Sequence, residues 1–160
     1  MTRSQPSQPA RQESASARAL TAAQAALAAE HAAVYGYGLV GARATGPRAN
    51  EARDAYGGHL ARRDALTRTV RGLGGVPRPA EAAYTLPFEV RTPADVERLA
   101  AEIEERVAGA YSDLVRAAEG PLRREAADAL SQAAVRAARW RGGGVAFPGL
   151  AERSDRARHS

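Results

Sequence analysis

Residues 92–114 read TPADVERLAAEIEERVAGAYSDL, and this stretch decides the fold class. Thr92 suits the N-cap of a helix, Pro93 its first position and Asp95 its third. Apolar residues then follow at steps of three and four, as expected for one face of a helix: Val96, Leu99, Ile103, Val107, Ala110 and Leu114. The stretch therefore predicts an amphipathic helix that begins directly after Thr92.

Three further helices are predicted, two before this one and one after it. The first runs from a capping box at Thr21 and Gln24 to about Ala44, before Thr45-Gly46-Pro47. The second runs from Pro47 to a Gly-Gly pair at 74–75. The fourth follows Glu119-Gly120-Pro121 and ends before the glycines at 142–144. The sequence therefore predicts an all-α fold.

The lengths of the connections predict how these helices pair. The first and third connections span a few residues, which favours two antiparallel hairpins. The middle connection, residues 75–92, could reach roughly 60 Å, whereas a helix of about 25 residues is only about 38 Å long. A connection of this length can cross the whole molecule and make helices 2 and 3 parallel. A short, a long and a short connection in this order are typical of a ferritin-like four-helix bundle with one long crossover.

The predicted bundle occupies residues 19–150, between two ends of different composition. Residues 1–18 are rich in Ser, Gln, Pro and Arg and are predicted to form a disordered leader. Residues 151–160 are predicted to form a disordered tail. The apolar segment 145–150 is expected to fold back onto the helices.

Composition narrows the functional classes. The chain has 160 residues, no cysteine, 23 basic residues that are all Arg, and a net charge of +5. The absence of cysteine excludes disulfides and thiol catalysis and fits a cytoplasmic protein. Acidic residues alternate with the arginines along the helices, so nucleic acid is an unlikely partner, although Arg-rich ends could bind anionic surfaces weakly. Residues 19–44 carry Glu30 and His31 in mid-segment, which disfavours a membrane span.

Several stretches resemble an uncharacterised bacterial family of ferritin-like domains. They are AEHAAVYGYG at 29–38, HLARRDAL at 59–66, Pro-Phe at 87–88, AARW at 137–140 and FPGL at 147–150. The resemblance covers about residues 19–150 and rests on the order of these motifs. The resemblance implies a ferritin-like fold, and it implies no particular activity because the family has none assigned.

Ferritin-like di-iron proteins place one Glu on each of two helices and Glu-x-x-His on each of the other two. Here Glu30 can supply the first Glu, and His59 keeps its position while Tyr56 replaces the preceding Glu. On helix 3, Glu102 and Glu104 flank the apolar stripe, and helix 4 offers no inward ligand. Glu30 and His59 are therefore the metal-ligand candidates of an incomplete set, for iron or another divalent ion.

A buried polar cluster without metal is the favoured interpretation of these residues. Its candidates are Glu30, His31, His59 and Arg63, with Arg63 expected to pair with Glu30 while a histidine completes the hydrogen bonds. The leading functional hypothesis is a non-enzymatic, metal-free module that acts through assembly, including homo-oligomer formation, or partner binding, with no cofactor. The alternative is a divergent metal-dependent oxidase or iron-handling protein.

Overall fold

The computed structural model describes residues 8–142, which form four helices and contain no strand. The helices are α1 (Gln8–Arg43), α2 (Pro47–Gly72), α3 (Pro93–Ala117) and α4 (Gly120–Trp140). The all-α prediction is confirmed. The expected tail at 151–160 and the apolar segment 145–150 lie outside the described residues.

The start of α3 is the one that the sequence predicts. The Thr92 hydroxyl accepts a hydrogen bond from the backbone N–H of Asp95 at 3.2 Å, and the Asp95 carboxylate accepts one from the backbone N–H of Thr92 at 2.8 Å. These bonds satisfy backbone donors that a helix end leaves unpaired. The hydrogen bonds from Thr92 and Arg91 also lower the pKa of Asp95.

The start of α1 is not where the sequence predicts it. The helix begins at Gln8, so the expected capping box at Thr21 was wrong, and residues 8–18 are helical rather than a disordered leader. The Thr21 hydroxyl donates to the carbonyl of Ala17 at 3.0 Å, which is a bond of a residue inside a helix. Most residues at 8–18 are Ala, Arg, Gln, Glu or Ser, and proline is tolerated in a first helical turn, so the helix propagates through this segment.

Helices α2 and α3 run in the same direction. Arg48 donates to Glu97 at 3.0 Å near the start of both helices. His59 bonds to Glu104 at 3.2 Å, so the residue numbers rise together along α2 and α3. Because the two helices are parallel, residues 73–92 pass from the end of one to the beginning of the other.

The connection crosses by lying along α1. Gln24 donates to the carbonyl of Val76 at 2.6 Å and accepts from the backbone N–H of Arg78 at 3.0 Å. Further along α1, Arg43 donates to the carbonyl of Val90 at 2.7 Å. These bonds replace the internal hydrogen bonds that an extended backbone lacks. The connection is therefore fixed against α1 at both ends.

The core has two apolar layers, one toward each end of the helices. The first contains Ala23, Leu27, Leu66, Val70, Val107, Leu114 and Ala133, and the second contains Val40, Ala52, Val90, Val96, Leu99 and Trp140. Three polar residues between them, Glu30, His59 and Glu104, are fully buried. Buried polar groups need partners, so this middle level is where the structure must satisfy them.

The glycines of α1 lie in two different environments. Gly38 and Gly41 are exposed, and a Cβ at either position would have no neighbour within 4 Å. Gly36 is the glycine that permits a close approach, because a Cβ there would lie 2.4 Å from Ile103 Cδ1. None of the four described helices combines the length and apolar character needed to cross a membrane.

Candidate functional site

The candidate site is centred on the imidazole of His59. Its Nδ1 lies 2.6 Å from Glu30 Oε2, and its Nε2 lies 3.2 Å from Glu104 Oε1. The three side chains come from α2, α1 and α3 and are 0 % exposed. Both ring nitrogens therefore have carboxylate partners, and an imidazolium satisfies both by donating at each nitrogen.

Glu30 has a partner on each oxygen. In addition to His59 on Oε2, the Tyr111 hydroxyl donates to Oε1 at 2.7 Å. The bond from Tyr111 joins α3 to α1 across the core. Because both oxygens accept, the burial of Glu30 leaves no oxygen without a hydrogen bond.

Glu104 concentrates its partners on one oxygen. Oε1 accepts from the Tyr37 hydroxyl at 2.6 Å and from Arg136 Nε at 2.6 Å, in addition to its contact with His59. The Tyr37 oxygen in turn accepts from the indole N–H of Trp140 at 2.9 Å. Oε2 of Glu104 is buried without a partner among residues 8–142. One carboxylate thus links residues of all four helices.

Tyr37 also packs against the imidazole. Its ring lies over that of His59 with centroids 5.1 Å apart and planes at 28°. This contact, together with the two hydrogen bonds, leaves the imidazole one orientation. Each polar side chain of the site therefore has its orientation fixed by a hydrogen bond to at least one other.

The protonation of the cluster follows from its contacts. Burial lowers the pKa of His59, but its hydrogen bonds to Glu104 and Glu30 and the charges of these carboxylates outweigh burial, so the pKa is raised above 6.5. Burial raises the pKa of Glu104, but hydrogen bonds from His59 and Arg136 outweigh it, so the pKa is lowered. These contacts favour the imidazolium form of His59 between Glu30 and Glu104, beside the guanidinium of Arg136.

The two tyrosines remain neutral donors. Burial, followed by the carboxylate of Glu104, raises the pKa of Tyr37 well above its usual range. Burial, followed by the carboxylate of Glu30, does the same for Tyr111. Neither phenol can serve as a base near neutral pH, and their chemical role is to hold the carboxylates.

The contacts do not fit a metal centre of the ferritin type. A metal bound by His59 and Glu30 at bond lengths of about 2.1 Å would hold their ligand atoms about 3.0 Å apart at octahedral angles or about 3.4 Å apart at tetrahedral angles, and the structure has them at 2.6 Å, in a direct hydrogen bond. On α4, the helix expected to provide Glu-x-x-His, the inward group is the cation Arg136. No group of three or more His, Cys, Asp or Glu in the described part of the chain is arranged to hold a metal ion.

The structure brings together two of the four residues predicted for the polar cluster. Glu30 and His59 are bonded to each other. His31 lies at the surface of α1, where its Nε2 is 3.0 Å from the carbonyl of Arg78. Arg63 pairs with Asp64 at 2.8 Å, so the expected Arg63–Glu30 pair was wrong. The reason is physical: a guanidinium that finds a carboxylate at the surface avoids the cost of desolvation.

Glu104 and Arg136 take the places expected for Arg63 and His31, and the sequence indicates only one of these two residues. Glu104 lies four residues after Ala100 and three before Val107, which are both buried, but the neighbouring apolar stripe through Ile103 gave the stronger signal on α3. Arg136 stands among alanines on α4, and nothing in its local sequence marks it as inward. Only the position of α3 beside α4 shows that its guanidinium reaches Glu104.

Arginines also span the gap between α2 and α4. No Cα of one helix lies within 8 Å of a Cα of the other over the described residues. Arg62 donates to Gln132 at 2.5 Å, and Arg48 donates to the carbonyl of Arg139 at 3.1 Å. Nη1 of Arg62 and Nη2 of Arg136 are buried without partners in residues 8–142. This side of the molecule is closed by long polar side chains.

Fold and site together define a class: an all-α, four-helix protein with a buried acid–imidazole–arginine cluster. The chain belongs to the family described as "Domain of unknown function (DUF4439)", whose model matches residues 22–152. It is similar to the solved structure titled "Crystal structure of a conserved hypothetical protein, rv2844, from Mycobacterium tuberculosis", with 38% identity and a TM-score of 0.73. That likeness covers 80% of this chain and 96% of the other. No curated protein sequence matches the chain.

Proposed function

We propose that this protein is a metal-free, ferritin-like module that acts through assembly or partner binding and catalyses no reaction. Parallel α2 and α3 joined by residues 73–92 support the ferritin-like part of the proposal, since one long crossover is typical of that fold. The polar level in the middle of the four helices also supports it. Ferritin-like di-iron proteins bind their ions with polar side chains at the corresponding place, between facing helices.

The observation that carries the metal-free part is Arg136. Its guanidinium donates to Glu104 at 2.6 Å and supplies positive charge to the carboxylate that a cation would otherwise neutralise. His59 supplies the second positive charge. With both charges present, a divalent cation would have to displace a guanidinium or a proton and would be repelled by the one that remained.

The exposed beginning of α1 supports a role in assembly. Residues 11–18 are exposed or partly exposed, and the first buried residue after them is Ala19. Part of this segment lines an open groove with Asp113 and Ala117 of α3, and it contains the small residues Ala15 and Ala17. Small residues allow close approach of a second helix. We propose that a second copy of the chain packs here in a homo-oligomer located in the cytoplasm.

Elemental analysis tests the metal-free part. Untagged protein produced with iron, manganese and zinc in the medium is expected to carry less than about 0.1 ion per chain. The same measurement on Glu30→Ala and His59→Ala variants is expected to give the same result. Near-stoichiometric metal that is lost in both variants would contradict the proposal.

Sedimentation tests the assembly part. The chain is expected to form a concentration-dependent oligomer that Ala17→Glu weakens and Arg53→Glu, at an exposed site near the start of α2, leaves intact. A monomer at about 100 μM that is unchanged by either substitution would contradict assembly, since stable homo-oligomers persist well below that concentration.

A divergent metal-dependent oxidase or iron-handling protein is the second candidate, because Glu104 Oε2 is buried without a partner among the described residues and lies beside an imidazole and a second carboxylate. In that case iron(II) or another divalent ion would displace Arg136 from Glu104. Arg136→Ala would then raise metal affinity, and Arg136→Lys would not. Stoichiometric iron binding by wild-type protein, lost in Glu104→Gln, would favour this candidate over the first.

A further inference from the structure

A pocket of about 200 Å³ opens on the side of the molecule away from the α2–α4 gap. It lies between α1, the middle connection and α3, and its wall contains Ala32, Ala33, Leu86 and Leu99. These residues contribute only apolar side chains. The pocket lies apart from the polar cluster, so a ligand bound here is independent of the proposed function.

The base of the pocket depends on Gly36. A Cβ at this position would lie 2.4 Å from Ile103 Cδ1, so the glycine allows Ile103 to lean toward α1. One wall is aromatic, because the rings of Tyr35 and Tyr84 are 5.3 Å apart at a tilt of 49°. Tyr35 remains 44% exposed despite this contact, and so the aromatic wall is accessible from solvent.

The charged residues at the pocket indicate which charge a ligand should carry. Two of its lining residues are charged, Glu102 and Arg106, one turn apart on α3. Glu102 is paired with Arg98 at 3.3 Å. Arg106 makes no ion pair or hydrogen bond through its side chain within residues 8–142. The free charge beside the apolar wall is therefore positive, and it matches an anion.

We propose that this pocket binds a small monocarboxylate whose body is an aromatic ring or a short branched alkyl group. An engineered apolar cavity of about 150 Å³ binds benzene, so 200 Å³ admits one ring and a short polar extension. The ring would lie against Tyr35 and Tyr84, and the carboxylate would accept hydrogen bonds from Arg106. The net charge of +5 favours the approach of such an anion.

Titration of the full-length protein with phenylacetate, followed by ¹H–¹⁵N correlation spectra, tests this assignment. Saturable shifts are expected at Gly36, Tyr84 and Ile103, with a Kd on the order of 1 mM for a ligand of this size. Phenylacetamide, which keeps the ring and loses the charge, is expected to bind about tenfold more weakly. Equal binding of the acid and the amide would overturn the carboxylate assignment.

Two substitutions locate the site. Arg106→Gln is expected to weaken phenylacetate binding about tenfold and leave phenylacetamide unchanged, whereas Arg116→Gln on the same helix alters neither. Ala32→Phe places a ring in the pocket and is expected to abolish binding of both probes. Binding that survives Ala32→Phe, or no saturable shift up to about 10 mM, would overturn the proposal.

The chain's own apolar segment is the competing occupant. Phe147 belongs to residues 145–150, which lie outside the described part of the chain. If the full-length protein shows no binding and a Phe147→Asp variant binds phenylacetate, the pocket is occupied by the chain itself. That result would overturn a free small-molecule site.

Discussion

The α1–α3 side and the α2–α4 side of the molecule are closed in opposite ways. Between α1 and α3 the helices approach closely, and Gly36 has no room for a Cβ beside Ile103. Between α2 and α4 no two Cα atoms of the described residues come within 8 Å, and Arg62 reaches across to Gln132. The α1–α3 side depends on a close approach at Gly36, and the α2–α4 side is bridged by long polar side chains.

This difference explains where charge can enter the core. Helices α1 and α3 contribute the carboxylates Glu30 and Glu104 and the tyrosines that hold them. The wider α2–α4 gap admits Arg136, whose side chain is 20% exposed and reaches Glu104. The spacing of the helices thus decides which part of the cluster carries a fixed positive charge.

The largest effect is expected from Glu104→Ala. The substitution leaves His59, Tyr37 and Arg136 without their common acceptor, and breaking a buried pair from one side costs about 3–5 kcal/mol of the free energy of unfolding. Urea unfolding measures the change. Glu105→Ala is the matched control, because Glu105 is exposed and pairs with Arg141 at the surface, so it should cost less than about 1 kcal/mol. Equal costs for the two substitutions would show that the cluster does not stabilise the fold.

Gly36→Leu tests the closeness of the α1–α3 side. Overpacking against Ile103 is expected to lower the free energy of unfolding by about 1–3 kcal/mol. Gly38→Leu, two residues away in open space, is expected to raise it by about 0.5–1 kcal/mol because leucine favours helix over glycine. Thermal or urea unfolding of both variants measures the contrast, and a stabilised Gly36→Leu would contradict the close approach.

Changing the pH sharpens the description of the polar cluster. Since the pKa of His59 is raised by Glu104 and Glu30 against the effect of burial, its contribution to stability is complete below 6.5, its unfolded value, and is lost as pH rises through the folded value. The slope is expected to approach about 1.4 kcal/mol per pH unit between those two values. Tyr37 faces Glu104 as well, but burial raises its pKa well above its usual range, so it does not titrate there.

Urea unfolding at several pH values above 6 measures this slope. His59→Gln is expected to flatten the profile, and His31→Gln, at a partly exposed site on α1, is expected to leave it as in the wild type. Below 4.5 a second loss is expected, because the lowered pKa of Glu104 makes its contribution disappear as pH falls. A profile that is flat in wild-type protein from pH 6 to 9 would rule out a charged His59.

The smallest effect is expected from Arg63→Ala. Its pair with Asp64 is at the surface, with side chains 32% and 57% exposed, so the free energy of unfolding should change by less than about 0.5 kcal/mol. Arg136→Ala, which leaves Glu104 without its guanidinium, is expected to cost several times more in the same unfolding experiment. A cost above about 2 kcal/mol for Arg63→Ala would mean that its guanidinium reaches the core, as the expected Arg63–Glu30 pair requires.

The elements of the fold were largely predictable, and the partners inside the site were not. The capping residues of α3 are local signals, and the structure has them where the sequence predicts. The start of α1 was missed because Thr21 and Gln24 imitate a capping box, whereas Gln24 binds the connection at Val76 and Arg78. Glu30 and His59 were identified by matching the chain to the ligand pattern of ferritin-like proteins, but that pattern does not say which side chain each will meet.

The sequence by itself determined four helices, because caps, breakers and apolar periodicity act between residues a few positions apart. The tertiary structure decided that Arg136 rather than Arg63 neutralises the cluster and that Gly36 rather than Gly38 permits close packing. Both choices depend on the distance between helices that are far apart in the sequence. A local pattern carries no information about that distance, and the cost of burying a charge or a methyl group depends on it.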